Sequence, residues 1–180
     1  ATCPYVKKVQ QIVRRHHEQG YQILIIGDEN HPEVIGVNGW CDNQAKIINS
    51  KKDVLNLQNY GRICVVAQTT IIEATFQEII KAIEEKFPEA VVFNTICSAT
   101  EERQNEAAQI AQTVDMMIVI GDKKSSNTKK LAEICRLYNE KVYQIESAAE
   151  IEGAIFSEGD KVGITAGAST PAWIIKEVAE

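Results

Sequence analysis

The sequence predicts an α/β protein made of two similar small modules, each with a mainly parallel sheet flanked by helices. Short apolar runs alternate with segments of helical periodicity, which is the pattern of parallel α/β units. The second half of the 180-residue chain also repeats the first, since Cys3 and Cys97 are each followed 24 residues later by the glycine of a Gly-Asp pair that ends an apolar run. A repeat of this length indicates domain duplication rather than a solenoid. We therefore expect one module at residues 1–94 and another at 95–180.

The first module is expected to begin with a helix that carries a cysteine at its start. Thr2 is the predicted N-cap, Pro4 suits the first turn, and Gly20 ends the helical pattern. Cys3 then lies at a helix N-terminus, where backbone N–H groups and the helix dipole favour a thiolate. The remaining predicted elements are strands at 21–26, 45–48 and 63–66, helices at 51–57 and 71–88, an irregular or short helical segment near 36–42, and an apolar segment at 91–93.

The second module is expected to follow the same order. A helix after Cys97 is indicated by alanines and Ile110 at helical spacing, and Ser125 or Ser126 opens the next helix. The remaining predicted elements are strands at 116–120, 142–145 and 162–165, a short helix at 148–156, and a helix at 171–180.

The composition limits which partners and which cellular compartment are expected. The chain has 25 acidic and 19 basic residues, a net charge of −6 and no basic block, which argues against nucleic acid and anionic membranes as partners. No apolar run reaches the length of a membrane-spanning helix, and no signal peptide is recognisable. Five widely spaced cysteines fit a reducing compartment better than a disulfide framework. We expect a cytoplasmic protein.

Polar clusters follow the predicted strands at matching points of the two copies. Ligands of parallel α/β sheets bind beyond the carboxyl ends of the strands, and hydroxyls, amides and free backbone N–H groups there suit a phosphate or diphosphate. Taken singly, Ser125 or Ser126 could be an ordinary N-cap, and His31 and Glu33 could be surface side chains. Their joint placement favours a ligand site. The clusters are His31-Pro32-Glu33, Gln68-Thr69-Thr70, Ser125-Ser126-Asn127 and Ala168-Ser169.

The paired cysteines leave several interpretations open. A disulfide conflicts with the expected compartment, and a catalytic nucleophile explains one cysteine rather than a symmetric pair. Metal ligation explains both, but an iron-sulfur cluster needs three or four thiolates, so a further module would have to supply another. We assign Cys41, Cys64 and Cys135 to packing or chance, and expect His16 and His17 to face solvent or the helix dipole.

The order of these motifs resembles the 4-hydroxy-3-methylbut-2-enyl diphosphate reductase family, also called LytB or IspH. The resemblance covers essentially all 180 residues and matches the second and third of the family's three α/β modules, which surround a 4Fe-4S cluster on a pseudo-threefold axis. The chain starts without methionine, so we expect it to be a piece of a longer protein, and the resemblance implies that the family's N-terminal module is missing. The matching motifs are Ala1-Thr2-Cys3-Pro4, His31-Pro32-Glu33-Val34 with Gly36, Gln68-Thr69-Thr70, Ile96-Cys97-Ser98-Ala99-Thr100 with Arg103-Gln104, Ser125-Ser126-Asn127 and Thr165-Ala166-Gly167-Ala168-Ser169.

The resemblance implies a reaction and a role for each matched residue. The reaction is reductive dehydroxylation of 4-hydroxy-3-methylbut-2-enyl diphosphate to isopentenyl and dimethylallyl diphosphate in the non-mevalonate isoprenoid pathway, with electrons from an external donor such as ferredoxin or flavodoxin. Cys3 and Cys97 would ligate the cluster, and Glu33 would donate a proton within a network held by Thr69. The implied diphosphate ligands are His31, Ser125, Asn127 and Ser169, with Thr70 and Ser126 nearby.

Because the family's first cysteine and two further histidines lie in the missing module, we expect this chain alone to be inactive. Two other functions compete with the reductase. One is a non-catalytic module that binds a phosphate ligand through the same loops. The other is a cysteine-dependent hydrolase or a redox-sensing thiol protein.

Overall fold

The computed structural model describes residues 2–151 and 156–180, and Ala1 and residues 152–155 lie outside this description. The α/β class is confirmed, because the described strands form two parallel sheets flanked by helices. The chain divides into two compact units, Ala1–Cys97 and Ser98–Glu180. This division falls three residues after the predicted boundary, since the backbone N–H of Cys97 donates to Thr69 O in the first unit at 3.0 Å.

The first unit contains a parallel sheet with strand order β2-β1-β3-β4. Its strands are β1 (Gln22–Ile26), β2 (Lys46–Ile48), β3 (Ile63–Ala67) and β4 (Val91–Val92). Its helices are α1 (Pro4–Glu18), α2 (Pro32–Asn38), α3 (Lys51–Asn56) and α4 (Glu73–Lys86), with a 3-10 turn at Gly39–Cys41.

Alternating side chains of the central strands fill the cores on the two faces of this sheet. Leu24 and Val65 belong to the core that contains residues of α3 and α4, whereas Ile23 and Val66 belong to the core that contains residues of α1 and α2. Both central strands are therefore almost wholly apolar, as the sequence indicated.

The structure corrects or completes three predictions for the first unit. Cys3, rather than Thr2, occupies the N-cap position of α1, with Pro4 in the first turn. The unassigned segment near 36–42 is the end of α2 followed by the 3-10 turn. His16, which we expect to face solvent or the helix dipole, lies in the last turn of α1 with its ring half-buried and edge-on to Tyr21 and Phe93, and its Nδ1 is 2.8 Å from Ile12 O.

The second unit contains a parallel sheet in which β5 (Met116–Ile120) lies between β6 (Val142–Ile145) and β7 (Val162–Ala166). The predicted helix at 148–156 is a 3-10 turn at Ala148–Glu150, and residues 152–155 of that prediction lie outside the described residues. None of the helices in residues 2–151 and 156–180 is long and apolar enough to cross a membrane. The elements are α5 (Ser98–Ala111), β5 (Met116–Ile120), α6 (Ser126–Arg136), β6 (Val142–Ile145), β7 (Val162–Ala166) and α7 (Ala172–Ala179).

Candidate functional site

The loops after β1 and β3 meet because these strands are hydrogen-bonded neighbours in the centre of the first sheet. Ile26 pairs with Ala67 at the last rung. Beyond that rung Gln68 is 1% exposed and ties the loops together, accepting from Asp28 N–H at 3.1 Å and donating to the Thr70 hydroxyl at 3.0 Å. A buried amide with fixed partners gives this end of the sheet a defined shape.

Glu33 and Thr69 form the centre of the first-unit site. Thr69 donates its backbone N–H to Glu33 Oε1 at 2.6 Å and its hydroxyl to Oε2 at 2.8 Å. Glu33 stands in the first turn of α2 and is half-buried, and Thr69 is 5% exposed. Both carboxylate oxygens are thus held by one neighbouring residue, although 36 positions separate the two residues in the chain.

His31 is the N-cap of α2, and its capping bond fixes which ring nitrogen carries the proton. Its Nδ1 accepts the backbone N–H of Glu33 at 3.2 Å. An accepting Nδ1 has no proton, so the neutral ring carries its hydrogen on Nε2. That Nε2–H is the ring donor that remains for a ligand, and the side chain is half-buried.

Cys97 joins this network through Thr69. Its backbone N–H donates to Thr69 O at 3.0 Å, and the residue lies immediately before α5. Cys3 is the exposed N-cap of α1, and Cys97 is half-buried. Both predicted ligands are therefore free thiols beside helix starts. Among residues 2–151 and 156–180, no three His, Cys, Asp or Glu side chains are grouped closely enough to hold a metal ion.

In the second unit, Ser125 and Asn127 occupy the positions that His31 and Glu33 occupy in the first. Ser125 is the N-cap of α6, and its Oγ accepts the Thr128 N–H at 3.4 Å. Ser126 and Asn127 follow in the first turn. The Nδ2 of Asn127 is buried and has no hydrogen-bond partner among the residues that the structure describes. A buried amide N–H₂ without an acceptor is costly, and a bound anion would supply one.

Ser169 lies on the exposed loop after β7, and two close-packed glycines fix the backbone around it. A Cβ on Gly121 would lie 2.7 Å from Thr170 Oγ1 and 2.9 Å from Thr128 Oγ1. A Cβ on Gly167 would lie 2.4 Å from the same Thr128 hydroxyl. Thr170 also donates its hydroxyl to Ile120 O at 3.1 Å. The loop is therefore anchored to the end of β5, with the Ser169 side chain outside.

The other cysteines belong to the cores, as predicted from their apolar surroundings. Cys41, Cys64 and Cys135 are each 0% exposed. Burial raises the pKa of the Cys64 thiol to about 12 and that of Cys135 to about 11, and it also raises the pKa of Cys41. Because metals bind the thiolate, these neutral thiols are poor ligands.

Three structural contributors were missing from the predicted site residues. The sequence places Gln68 in a polar cluster, whereas the structure shows that its side chain ties two loops together. Thr95 and Thr128 are 7% and 1% exposed and bond or pack against strand ends. For Thr95 and Thr128, the sequence shows only a hydroxyl residue close to an apolar run, and many other positions of the chain share this pattern.

Comparisons with known proteins identify the family of this chain. The family model described as LytB protein matches residues 1–180. Reductases named 4-hydroxy-3-methylbut-2-enyl diphosphate reductase from Caldanaerobacter subterraneus subsp. tengcongensis and Alkaliphilus oremlandii are each 50% identical over 179 residues, which is 99% of this chain. The chain spans 62% and 64% of the lengths of these relatives.

A solved structure of a reductase with a similar name shows the same fold. The E-1-hydroxy-2-methyl-but-2-enyl-4-diphosphate reductase from Plasmodium falciparum superposes with a TM-score of 0.94 at 30% identity. The match covers 99% of this chain and 57% of that one. The similarity therefore extends through both units described above.

Proposed function

Because the chain belongs to the LytB protein family, we propose that the whole protein of which these residues form part reduces 4-hydroxy-3-methylbut-2-enyl diphosphate to isopentenyl and dimethylallyl diphosphate. Relatives with this activity in their names match 99% of the chain. The observation that carries the proposal is the bonding of Thr69, which holds both oxygens of Glu33 and accepts the Cys97 N–H. A proton donor is thereby fixed to a thiol-bearing segment.

Cys3 and Cys97 fit the role of ligands to a 4Fe-4S cluster. Both are free thiols at helix starts, one exposed and one half-buried. The core cysteines do not fit, so a third thiolate would come from elsewhere in the whole protein. A bound cluster would supply the two electrons and a Lewis-acidic iron. We propose an external electron donor such as ferredoxin or flavodoxin, and a cytoplasmic setting, where free thiols persist.

Glu33 would supply the proton with which the substrate hydroxyl leaves as water. The Thr69 hydroxyl lies 2.8 Å from Glu33 Oε2, which it donates to when the carboxylate is ionised. When Glu33 is protonated on Oε2, that O–H would donate to the Thr69 oxygen, and the Thr69 hydroxyl would rotate to donate to the substrate oxygen. Glu33 then gives its proton to Thr69 as Thr69 gives its own proton to the leaving oxygen, and the hydroxyl departs as water. The Thr69 N–H holds the carboxyl group in place during this transfer.

Neutral donors would bind the diphosphate in this acidic protein. In the first unit, the donors are the Nε2–H of His31 and the nearby hydroxyl of Thr70. In the second unit, Asn127 offers a buried N–H₂ with no acceptor in the described part of the chain. Ser125, Ser126 and Ser169 offer hydroxyls at the start of α6 and after β7. Helix N-termini favour anions through free N–H groups and the helix dipole.

Anaerobic iron-sulfur reconstitution of the full-length gene product, followed by assay with the allylic diphosphate and a reducing dye, tests the proposal. We expect visible cluster absorption and turnover, and expect Cys3→Ala and Cys97→Ala to remove both. Cys64→Ala and Cys135→Ala are matched controls that should keep the absorption. A colourless wild-type protein, or absorption that survives both ligand substitutions, would contradict the cluster.

A diphosphate-binding protein without catalysis is the second candidate, and the unpaired Asn127 N–H₂ favours it equally. The same assay separates the two functions. Diphosphate binding by a cluster-loaded protein that never consumes the substrate would favour the binding module.

A further inference from the structure

Strand β4 stops pairing regularly after Val92, yet the chain beyond it keeps the same register along β3. Phe93 N–H donates to Val65 O at 2.9 Å, and Cys97 N–H donates to Thr69 O at 3.0 Å. Donor and acceptor lie 28 positions apart in both pairs, as the residue numbers show. The segment that ends at Cys97 is therefore an interrupted continuation of β4 rather than an unrelated loop.

The Thr95 side chain fills the interruption. Its hydroxyl accepts the Ala67 N–H at 2.8 Å and donates to Ala67 O at 2.6 Å, again 28 positions apart. In a regular parallel ladder, backbone groups on the neighbouring strand would make both bonds. Thr95 is 7% exposed, and Ala67 is 0% exposed. One hydroxyl thus satisfies two buried backbone groups that would otherwise lose their partners.

Because the Thr95 side chain replaces the backbone pairing at Ala67, the backbone N–H of Thr69 is left available for another acceptor. If the ladder continued regularly past Ala67, that N–H would donate to the backbone of residue 95. It donates instead to Glu33 Oε1 at 2.6 Å. Two residues after Thr95, the ladder resumes, because the Cys97 N–H donates to Thr69 O. The backbone of residue 95 is displaced from the ladder at the point where Thr69 turns toward Glu33.

We infer that Thr95 is a positioning residue, which holds Cys97 in register beside Thr69 while releasing the Thr69 N–H to Glu33. Its importance for catalysis rests on the proposed function, because Cys97 and Glu33 have their roles there. Its effect on the backbone is independent of that function. Thr95 thereby couples the geometry of the metal ligand to that of the proton donor.

Hydrogen exchange of the full-length protein, followed at single-amide resolution, tests the backbone part. Thr95→Val keeps the shape and removes the hydroxyl, whereas Thr95→Ser keeps the hydroxyl. We expect Thr95→Val to accelerate exchange of the Ala67, Thr69 and Cys97 amides by about tenfold or more, since buried bonds are lost. Thr95→Ser should restore protection. Val54→Ala, a core substitution in α3, controls for general destabilisation of the same unit.

Cluster retention and kinetics test the catalytic part. In the reconstituted protein, the visible absorption of the Thr95→Val variant should disappear in the presence of a chelator several times faster than that of wild type. The same variant should have a kcat that is lowered more than its KM is changed. Thr95→Ser should restore both properties. Wild-type exchange at all three amides in Thr95→Val, or equal effects in Val54→Ala, would overturn the inference. If wild type never holds a cluster or turns over, the proposed function fails, and the exchange result still decides whether Thr95 positions the backbone.

Discussion

Glu33 gives the sharpest prediction at the scale of single residues. Glu33→Gln removes the acidic proton but keeps an oxygen for the Thr69 N–H, and the Thr69 hydroxyl can rotate to accept from the new amide. We expect the fold and diphosphate affinity to remain, while kcat falls by about 10²- to 10⁴-fold, the usual loss of a general acid. Single-turnover kinetics and calorimetric titration with the diphosphate substrate measure the two effects.

Glu29→Gln is the matched control for this substitution, because Glu29 is an exposed carboxylate on the loop that leads into α2, four residues before Glu33. It should leave kcat and affinity unchanged. Parallel loss of binding and turnover in Glu33→Gln would assign Glu33 to substrate binding or loop structure instead.

Asn127 permits a prediction that separates binding from stability. Its Nδ2 has no partner in the described part of the chain, so Asn127→Ala removes no bond made by that atom. We expect the free energy of unfolding to change by less than about 1 kcal/mol, because removing an unsatisfied buried donor offsets the lost packing. Diphosphate affinity should fall about tenfold, as for one lost bond to a charged group.

Urea unfolding and titration with inorganic diphosphate check these two values. Asn105→Ala, at an exposed position of α5, is the control and should affect neither. A large loss of stability without loss of affinity would show that the Asn127 amide serves the fold rather than a ligand.

At the scale of elements, the loop after β5 depends on a glycine. Gly121 has φ +142°, and an added Cβ would approach the Thr128 and Thr170 hydroxyls within 3 Å. Gly121→Ala should therefore destabilise the second unit by about 1–3 kcal/mol. At Gly36, inside α2, an added Cβ meets no described atom within 4 Å. Gly36→Ala should stabilise the first unit by up to about 1 kcal/mol.

Urea denaturation of both variants, monitored by signals assigned to each unit, measures these changes. Equal effects of the two substitutions would contradict the argument, since the new methyl group meets two hydroxyls within 3 Å at Gly121 and no described atom within 4 Å at Gly36.

The elements were predictable because local patterns fix them. The apolar runs at β5 and β6 predict both strands with their observed bounds, and the pair Ser125-Ser126 predicts the start of α6, of which Ser125 is the N-cap. The contacts within the candidate site were not predictable in the same way. The bond between Glu33 and Thr69 joins residues 36 positions apart, and Thr95 acts on Ala67 through a side chain that replaces backbone pairing. Such pairings require the order of the strands, which periodicity alone does not provide.

At the scale of the whole molecule, the two units place different side chains at equivalent helix starts. In each unit a helix begins a few residues after a central strand, α2 after β1 and α6 after β5. The N-cap and the first turn of that helix are therefore the first helical positions after the strand end. The first unit places an imidazole and a carboxylate at these positions, His31 and Glu33. The second places a hydroxyl and an amide there, Ser125 and Asn127. Under the proposed function, only the first copy offers a carboxyl group for proton transfer, and the second copy offers only neutral groups for the anion.

The core thiols give a pH prediction that applies to both units. The pKa of Cys64 in the first unit is raised by burial from 9.0 to about 12, and that of Cys135 in the second from 9.0 to about 11. Between pH 9 and these values the unfolded chain loses the thiol proton while the folded chain keeps it. The unfolded state then binds fewer protons, so the free energy of unfolding falls as pH rises.

We expect each thiol to remove about 1 kcal/mol from the stability of its unit between pH 8 and pH 10. Urea unfolding under reducing conditions at these two pH values measures the change. Cys64→Ala should make the decline of the first unit shallower without altering that of the second, and Cys135→Ala should do the reverse. Because other groups also titrate in this range, the difference between variant and wild type is the decisive quantity, and identical slopes would show that these thiols ionise as readily inside the protein as outside it.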